Sequence, residues 1–210
     1  MPVLDYRIYH AVNEFAVDHK WLAHATYFFE TVGVVAYGLA VLLLWLATEP
    51  GEERRWKLAA LAGGVSAGLS LLVNQMIGNV IWHRPRPYES HPQVYHLSHS
   101  HDPSFPSDHA SAAFGIAFGI YFIDRRVGRF FIVVAMLIAA GRVLVGAHYP
   151  TDVIASLVVS VIAAYLVTRF ARPALEWAVR LLERISDPAV GPLHRRLRRR
   201  RGRSTELTQS

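Results

Sequence analysis

Three short clusters of polar residues in this chain have the types and spacing to do chemistry. The first holds Asn79, Arg84 and Arg86; the second holds Ser107, Asp108 and His109; the third holds Arg142, His148 and Asp152. Prolines at 85 and 87 stiffen the backbone around Arg86. Arginine forks match phosphate oxygens in pairs of hydrogen bonds. Ser107 suits a helix N-cap, and the unpaired N–H groups of the first turn, with the helix dipole, make an anion site. His148 and Asp152 are four apart, with Pro150 favouring a helix start between them. The carboxylate is therefore expected to take one ring N–H, fixing the tautomer and leaving the other nitrogen free to attack phosphorus. His109, on a different helix, can give a proton to the leaving oxygen. Arginines around the equatorial oxygens complete a site for phosphoryl transfer, with no metal or other cofactor in the scheme.

Taken singly, each cluster has a plainer meaning: a proline-rich loop turn, a helix cap, a surface pair. What sets them apart is where the chain places them. The sequence has 210 residues, 52% hydrophobic and only 18% charged, with no cysteine; its mean hydropathy is +0.23. Those figures exclude a disordered chain, a disulfide framework and a cysteine nucleophile, and they argue against a soluble globule. Leu58 to Trp82 is free of Asp, Glu, Lys and Arg, as are Thr31 to Thr48, Phe130 to Gly141 and Val153 to Thr168. A hydrocarbon core needs roughly 20 helical residues, because backbone groups in lipid must be satisfied internally. The expected fold is all-α: a polytopic membrane bundle of about five spans, near 24–48, 58–82, 107–123, 129–148 and 151–170.

Residues 1–20 carry Val3, Ile8, Val12 and Phe15 among charges, which predicts an amphipathic helix on the membrane surface rather than a cleaved signal peptide. Residues 21–171 form the expected transmembrane catalytic domain, and 172–210 a cytoplasmic basic tail. Net charge is +6, and the basic residues gather at span ends. Arg54, Arg55 and Lys57, then Arg125, Arg126 and Arg129, then Arg169, Arg172, Arg180 and Arg184 fall on one side. That side is expected to be cytoplasmic, with the N-terminus outside. All three polar clusters then meet at the outer face, and ionisable groups at membrane depth are usually functional. From His194 to Arg203, seven of ten residues are arginine. This run is expected to meet anionic lipid headgroups; without interleaved aromatics it does not read as a nucleic-acid tail.

On these residues the chain resembles the type 2 phosphatidic acid phosphatase superfamily of membrane lipid phosphatases. The family's Lys-x6-Arg-Pro falls on Asn79 through Arg86-Pro87, its Pro-Ser-Gly-His on Pro106 to His109, and its Ser-Arg-x5-His-x3-Asp on Gly141-Arg142, His148 and Asp152. Asn79 stands in place of lysine, Asp108 in place of glycine and Gly141 in place of serine. Pro-Ser-Asp-His is similar to the version in bacitracin-resistance-type undecaprenyl pyrophosphate phosphatases. The resemblance implies a bacterial plasma-membrane enzyme that removes the terminal phosphate of the cell-wall lipid carrier. It implies that His148 forms a phosphohistidine, that Asp152 orients it, and that His109 is acid and then base. Arg86, Arg142 and Ser107 would hold the phosphate, with Asn79 and Arg84 as further candidates and Asp108 paired to Arg84 or Arg142. Phosphatidic acid or phosphatidylglycerol phosphate is the alternative substrate. From a different class, His83, His91, His96, His99 and His101 together with His109 could signal a metal-binding or transport protein. Oligomeric state has no signature in the sequence.

Overall fold

A computed structural model describes residues 3–48 and 54–208. Every regular element among them is helical: α1 (Val3–Asp18), α2 (Lys20–Leu46), α3 (Arg55–Met76) running into a π turn (Ile77–Ile81), a one-turn α4 (Pro87–Ser90), α5 (Asp108–Tyr121), α6 (Arg125–Leu144), α7 (Pro150–Phe170) and α8 (Arg172–Thr208). Four helices are long and apolar enough to cross a membrane: α2, α3 with its π turn, α6 and α7. The expected fifth span, 107–123, is the exception. Its helix has 14 residues, ~21 Å of rise, and sits in the middle of the bundle.

Packing explains why a short helix can be central. α5 lies against α3, α6 and α7, and the core around it is built from small residues, among them Ala59, Ala110, Ala113, Ala117, Ala135 and Ala139. Where α5 crosses α3 there is no space for a side chain: a Cβ on Gly115 would lie 2.7 Å from the Ala67 backbone, and one on Gly119 would lie 2.7 Å from Gly63. Such close approach is how helices associate when lipid offers no hydrophobic drive. Buried hydroxyls finish the seam. Ser156 and Ser160 of α7 donate to the carbonyls of Ser107 and Ser111 at 3.0 and 2.9 Å. The Tyr37 hydroxyl of α2 lies within bonding distance of the carbonyls of Ala113 and Phe131.

Two end segments differ from their sequence-based description. In α1 the apolar Leu4, Ile8 and Phe15 point outward, as a surface helix requires, but the inward stripe is Asp5, Tyr9, Asn13 and Ala16. That stripe is polar because it bonds to the site end of the bundle: Asn13 exchanges hydrogen bonds with the Tyr95 backbone at 2.6 and 3.1 Å. The segment from 172 is a helix, and its beginning docks on the bundle through Leu175 and Val179. Lys57, buried in α3, holds it with ion pairs to Glu183 and Asp187 at 3.3 and 2.8 Å. The arginine run from His194 to Arg203, with its expected headgroup contacts, lies outside the described side chains.

Candidate active site

The site forms where the middle of α2, the loop that carries Arg86, the N-terminus of α5, the C-terminus of α6 and the turn into α7 meet. His148 sits in the short turn between α6 and α7, buried at 1% exposure. Its Nδ1 lies 2.8 Å from the carbonyl oxygen of Ser104. A carbonyl can only accept, so Nδ1 carries the proton and Nε2 carries the lone pair. Nε2 faces the guanidinium of Arg86, 3.3 Å from Nη1. Burial lowers the His148 pKa from 6.5 to about 4, against the raising effect of Asp152, so the ring is neutral at pH 7.

Asp152 was expected to take the His148 proton directly. It is 3.7 Å from Nδ1, beyond hydrogen-bond range. Its oxygens are engaged elsewhere: Oδ2 accepts from the Ser104 hydroxyl at 2.6 Å and the Tyr149 N–H at 2.9 Å, and Oδ1 accepts from Arg84. The carboxylate therefore acts on the histidine through Ser104, pinning the residue whose carbonyl sets the tautomer. Nothing in the motif spacing points to Ser104, because its part is played by a backbone oxygen.

Arg84 is also placed differently from the sequence-based expectation of a phosphate contact. Its fork closes on carboxylates: Nη2 meets Asp5 at 2.6 Å, and Nη1 meets Asp152 and the Thr151 hydroxyl. Its guanidinium lies over the Tyr149 ring at 4.1 Å. It braces Asp152 and does not line the cavity.

That cavity, of about 440 Å³, is lined by Arg86, Arg142, His109 and His148, with Asp108, Glu30 and the 98–103 loop closing its walls. Both imidazoles and two arginines thus share one space. Arg86 is fixed by donating to the carbonyls of Asp102 at 2.9 Å and Ala147 at 3.2 Å, and burial pushes its guanidinium below the ordinary value. Arg142 bonds Glu30 of α2 at 2.8 Å, a residue the motifs did not flag. Gly141 explains itself here: a Cβ would come 2.9 Å from Thr26 and 3.1 Å from Glu30. Ser107 occupies the N-cap of α5, but its hydroxyl makes no cap bond and is buried without a partner.

Asn79 and Asp108 part from expectation together. Asn79 is exposed and donates to Gln75 at 2.8 Å, one turn back, so it does not join the cavity. Asp108 pairs with neither Arg84 nor Arg142; it accepts from Asn74 at 2.9 Å and Gln75 at 3.0 Å. Two side-chain amides of α3 thus satisfy the carboxylate that replaces glycine. In the loop between α4 and α5 His96 and His99 meet each other at 2.9 Å, and among the described residues no three metal-ligating side chains converge.

Comparison with known proteins gives the same frame. The chain is 31% identical to "Undecaprenyl-diphosphatase BcrC" of Bacillus subtilis over 87% of its own length and 93% of that protein. Its fold is similar to that of Aquifex aeolicus LpxE, with a TM-score of 0.59 and 21% identity over 80% of this chain and 96% of that one. It is likewise similar to a PAP2 type phosphatidylglycerolphosphate phosphatase from Bacillus subtilis, with a TM-score of 0.54 and 22% identity over 80% and 86%. The PAP2 superfamily profile matches residues 59–175, which span all three polar clusters. With its helical bundle and its paired imidazoles and arginines at one end, the chain belongs to the PAP2 superfamily, as a phosphatase of lipid-borne phosphate.

Proposed function

We propose that this protein is an undecaprenyl pyrophosphate phosphatase of the bacterial plasma membrane, working through a phosphohistidine on His148. The observation that carries the chemistry is the ring of His148: Nδ1 is tied to a carbonyl, and Nε2 bears its lone pair beside Arg86 in the cavity shared with His109 and Arg142. Nε2 attacks the terminal phosphorus, and the bond to the bridging oxygen breaks. His109 donates a proton to that oxygen as undecaprenyl phosphate leaves. It then takes a proton from water, which attacks the phosphohistidine and releases inorganic phosphate. Arg86 and Arg142, which both line the cavity, hold the equatorial oxygens, and Ser107 at the α5 N-cap stays a candidate for a further contact.

The choice of lipid rests on the likeness to the Bacillus subtilis diphosphatase. An extracytoplasmic site, with the N-terminus outside and the C-terminus inside, rests on Arg54, Arg55, Lys57, Arg125, Arg126 and Arg129 gathering at the end away from it. The deciding experiment compares phosphate release by the purified full-length protein from undecaprenyl pyrophosphate, phosphatidic acid and phosphatidylglycerol phosphate. The expected result is the highest kcat/KM on the polyprenyl lipid, unchanged by chelator. A higher value on a glycerol lipid removes the substrate assignment, and loss with chelator alone removes the metal-free scheme.

A further inference from the structure

Helices α1 and α2 lie before the matched family region, which begins at residue 59, yet each sends one buried carboxylate into the site. Asp5 of α1 is 3% exposed and Glu30 of α2 is 2% exposed. Oδ2 of Asp5 takes Arg84 at 2.6 Å and the Thr151 hydroxyl at 2.7 Å, and Oδ1 takes the Thr151 N–H at 3.1 Å. Oε2 of Glu30 takes Arg142 at 2.8 Å. Burying a carboxylate beside an arginine seldom adds net stability, since apolar side chains of like volume do as well. A buried pair does hold a guanidinium in one orientation, and both arginines held here matter to the proposed chemistry.

We infer that Asp5 and Glu30 are positioning residues for phosphoryl transfer, supplied by the N-terminal helices to a site whose motifs all lie elsewhere. Asp5 heads a relay through Arg84, Asp152 and Ser104 to Nδ1 of His148. Removing its charge frees one side of the Arg84 fork, and Asp152 then loses its fixed partner. Glu30 holds Arg142 against the cavity wall, and Gly141 leaves the space for it. The two carboxylates therefore act on different quantities. Asp5 sets the aim of the nucleophile, and Glu30 sets the grip on the phosphate.

The inference rests on the proposed His148 chemistry, and the test separates the two. Full-length Asp5→Asn and Glu30→Gln are assayed for phosphate release, with Asp5→Glu, Glu30→Asp and His148→Ala alongside and with thermal unfolding of each. Asp5→Asn is expected to lower kcat on the order of 10²-fold, as a misplaced nucleophile does, with KM nearly unchanged. Glu30→Gln is expected to raise KM on the order of tenfold with a smaller change in kcat. Asp5→Glu and Glu30→Asp keep the charge and recover part of each loss. Wild-type kcat and KM in both amide variants overturn the inference, as does an equal loss in amide and charge-keeping variants. Should Asp5→Asn not fold, Thr151→Val removes the hydroxyl that both Asp5 and Arg84 hold, and an undiminished kcat in that variant overturns it instead. Activity surviving in His148→Ala breaks the underlying reading. Preference for another lipid breaks only the substrate assignment, and the same variants are then compared on the preferred lipid.

Discussion

Both ends of the bundle collect arginines, and they use them in opposite ways. At the site end Arg84, Arg86 and Arg142 are between 3% and 5% exposed, each held by named acceptors on other elements. At the far end the side chains of Arg54, Arg55 and Arg172 are 62%, 52% and 58% exposed, and each reaches one carboxylate, Glu183, Asp124 and Glu176. A buried guanidinium is a tool of fixed geometry, because its desolvation is tolerable only when the charge is paired, as Arg84 and Arg142 are, or its donors are accepted, as in Arg86. An exposed one is simply a charge, worth little as a pair. The same residue type is thus fixed by several partners at one end and left largely in the open at the other.

The largest expected effect tests the site end. His148→Ala should lower turnover by on the order of 10⁴-fold or more while the protein stays folded, since the nucleophile has no substitute. Phosphoenzyme trapped from that variant would contradict the assignment. Next comes a far-end cation that breaks the pattern. Lys57 is 2% exposed between Glu183 and Asp187, so Lys57→Met should destabilise by about 3 kcal/mol, the cost of a buried pair losing a partner. Its kcat and KM should match wild type; a catalytic defect in folded Lys57→Met would erase the division between the two ends. Arg142→Lys follows, with a loss on the order of 10²-fold in kcat/KM, because an ammonium cannot reproduce the fork toward phosphate and Glu30.

What the sequence could and could not disclose follows from the range of each contact. His148, Arg142 and His109 stand in local motifs whose spacing carries their chemistry, and the structure brings them to one cavity. Uncharged stretches of helical length foretold the helices, and only α5 fell short of span length, because neighbours rather than lipid surround it. Asp5 and Glu30 escaped because their partners are 79 and 112 residues away, and no periodicity encodes such pairs. Glu30 did leave a trace: it is the only acidic residue in α2, an ionisable group inside an otherwise apolar helix. Arg84 was misassigned because the motif contains its position but not Asp5, the partner that turns its fork inward. Ser104 meets His148 through a carbonyl, which every residue has, and its hydroxyl meets Asp152 48 residues away, so no local spacing could select it.

A subtler prediction concerns the protonation of His148. The buried ring has its pKa lowered to about 4, so between pH 5 and 7 it should remain neutral with the proton on Nδ1. Ring ¹⁵N chemical shifts of selectively labelled protein should stay those of a neutral imidazole down to about pH 4. An ordinary solvated imidazole would instead titrate near ~6.5. Titration of His148 at that ordinary value would mean that water reaches the ring, and the contrast between a buried site and an exposed opposite end would fail.

The smallest effect belongs to the exposed pairs. Arg172 and Glu176 face each other one turn apart on α8 at 3.0 Å, with side chains 58% and 45% exposed. Solvent screens such a pair, and holding two long side chains together costs rotamer entropy, so Arg172→Ala should change stability by no more than about 0.5 kcal/mol. Phosphate release should be unaltered. A larger change would show that the start of α8 is held by this charge rather than by Leu175, Val179 and the buried Lys57. Added salt discriminates further: it should weaken the Arg172 pair and leave the enclosed Arg84–Asp152 and Arg142–Glu30 pairs as they are, because screening acts chiefly on charges that face water.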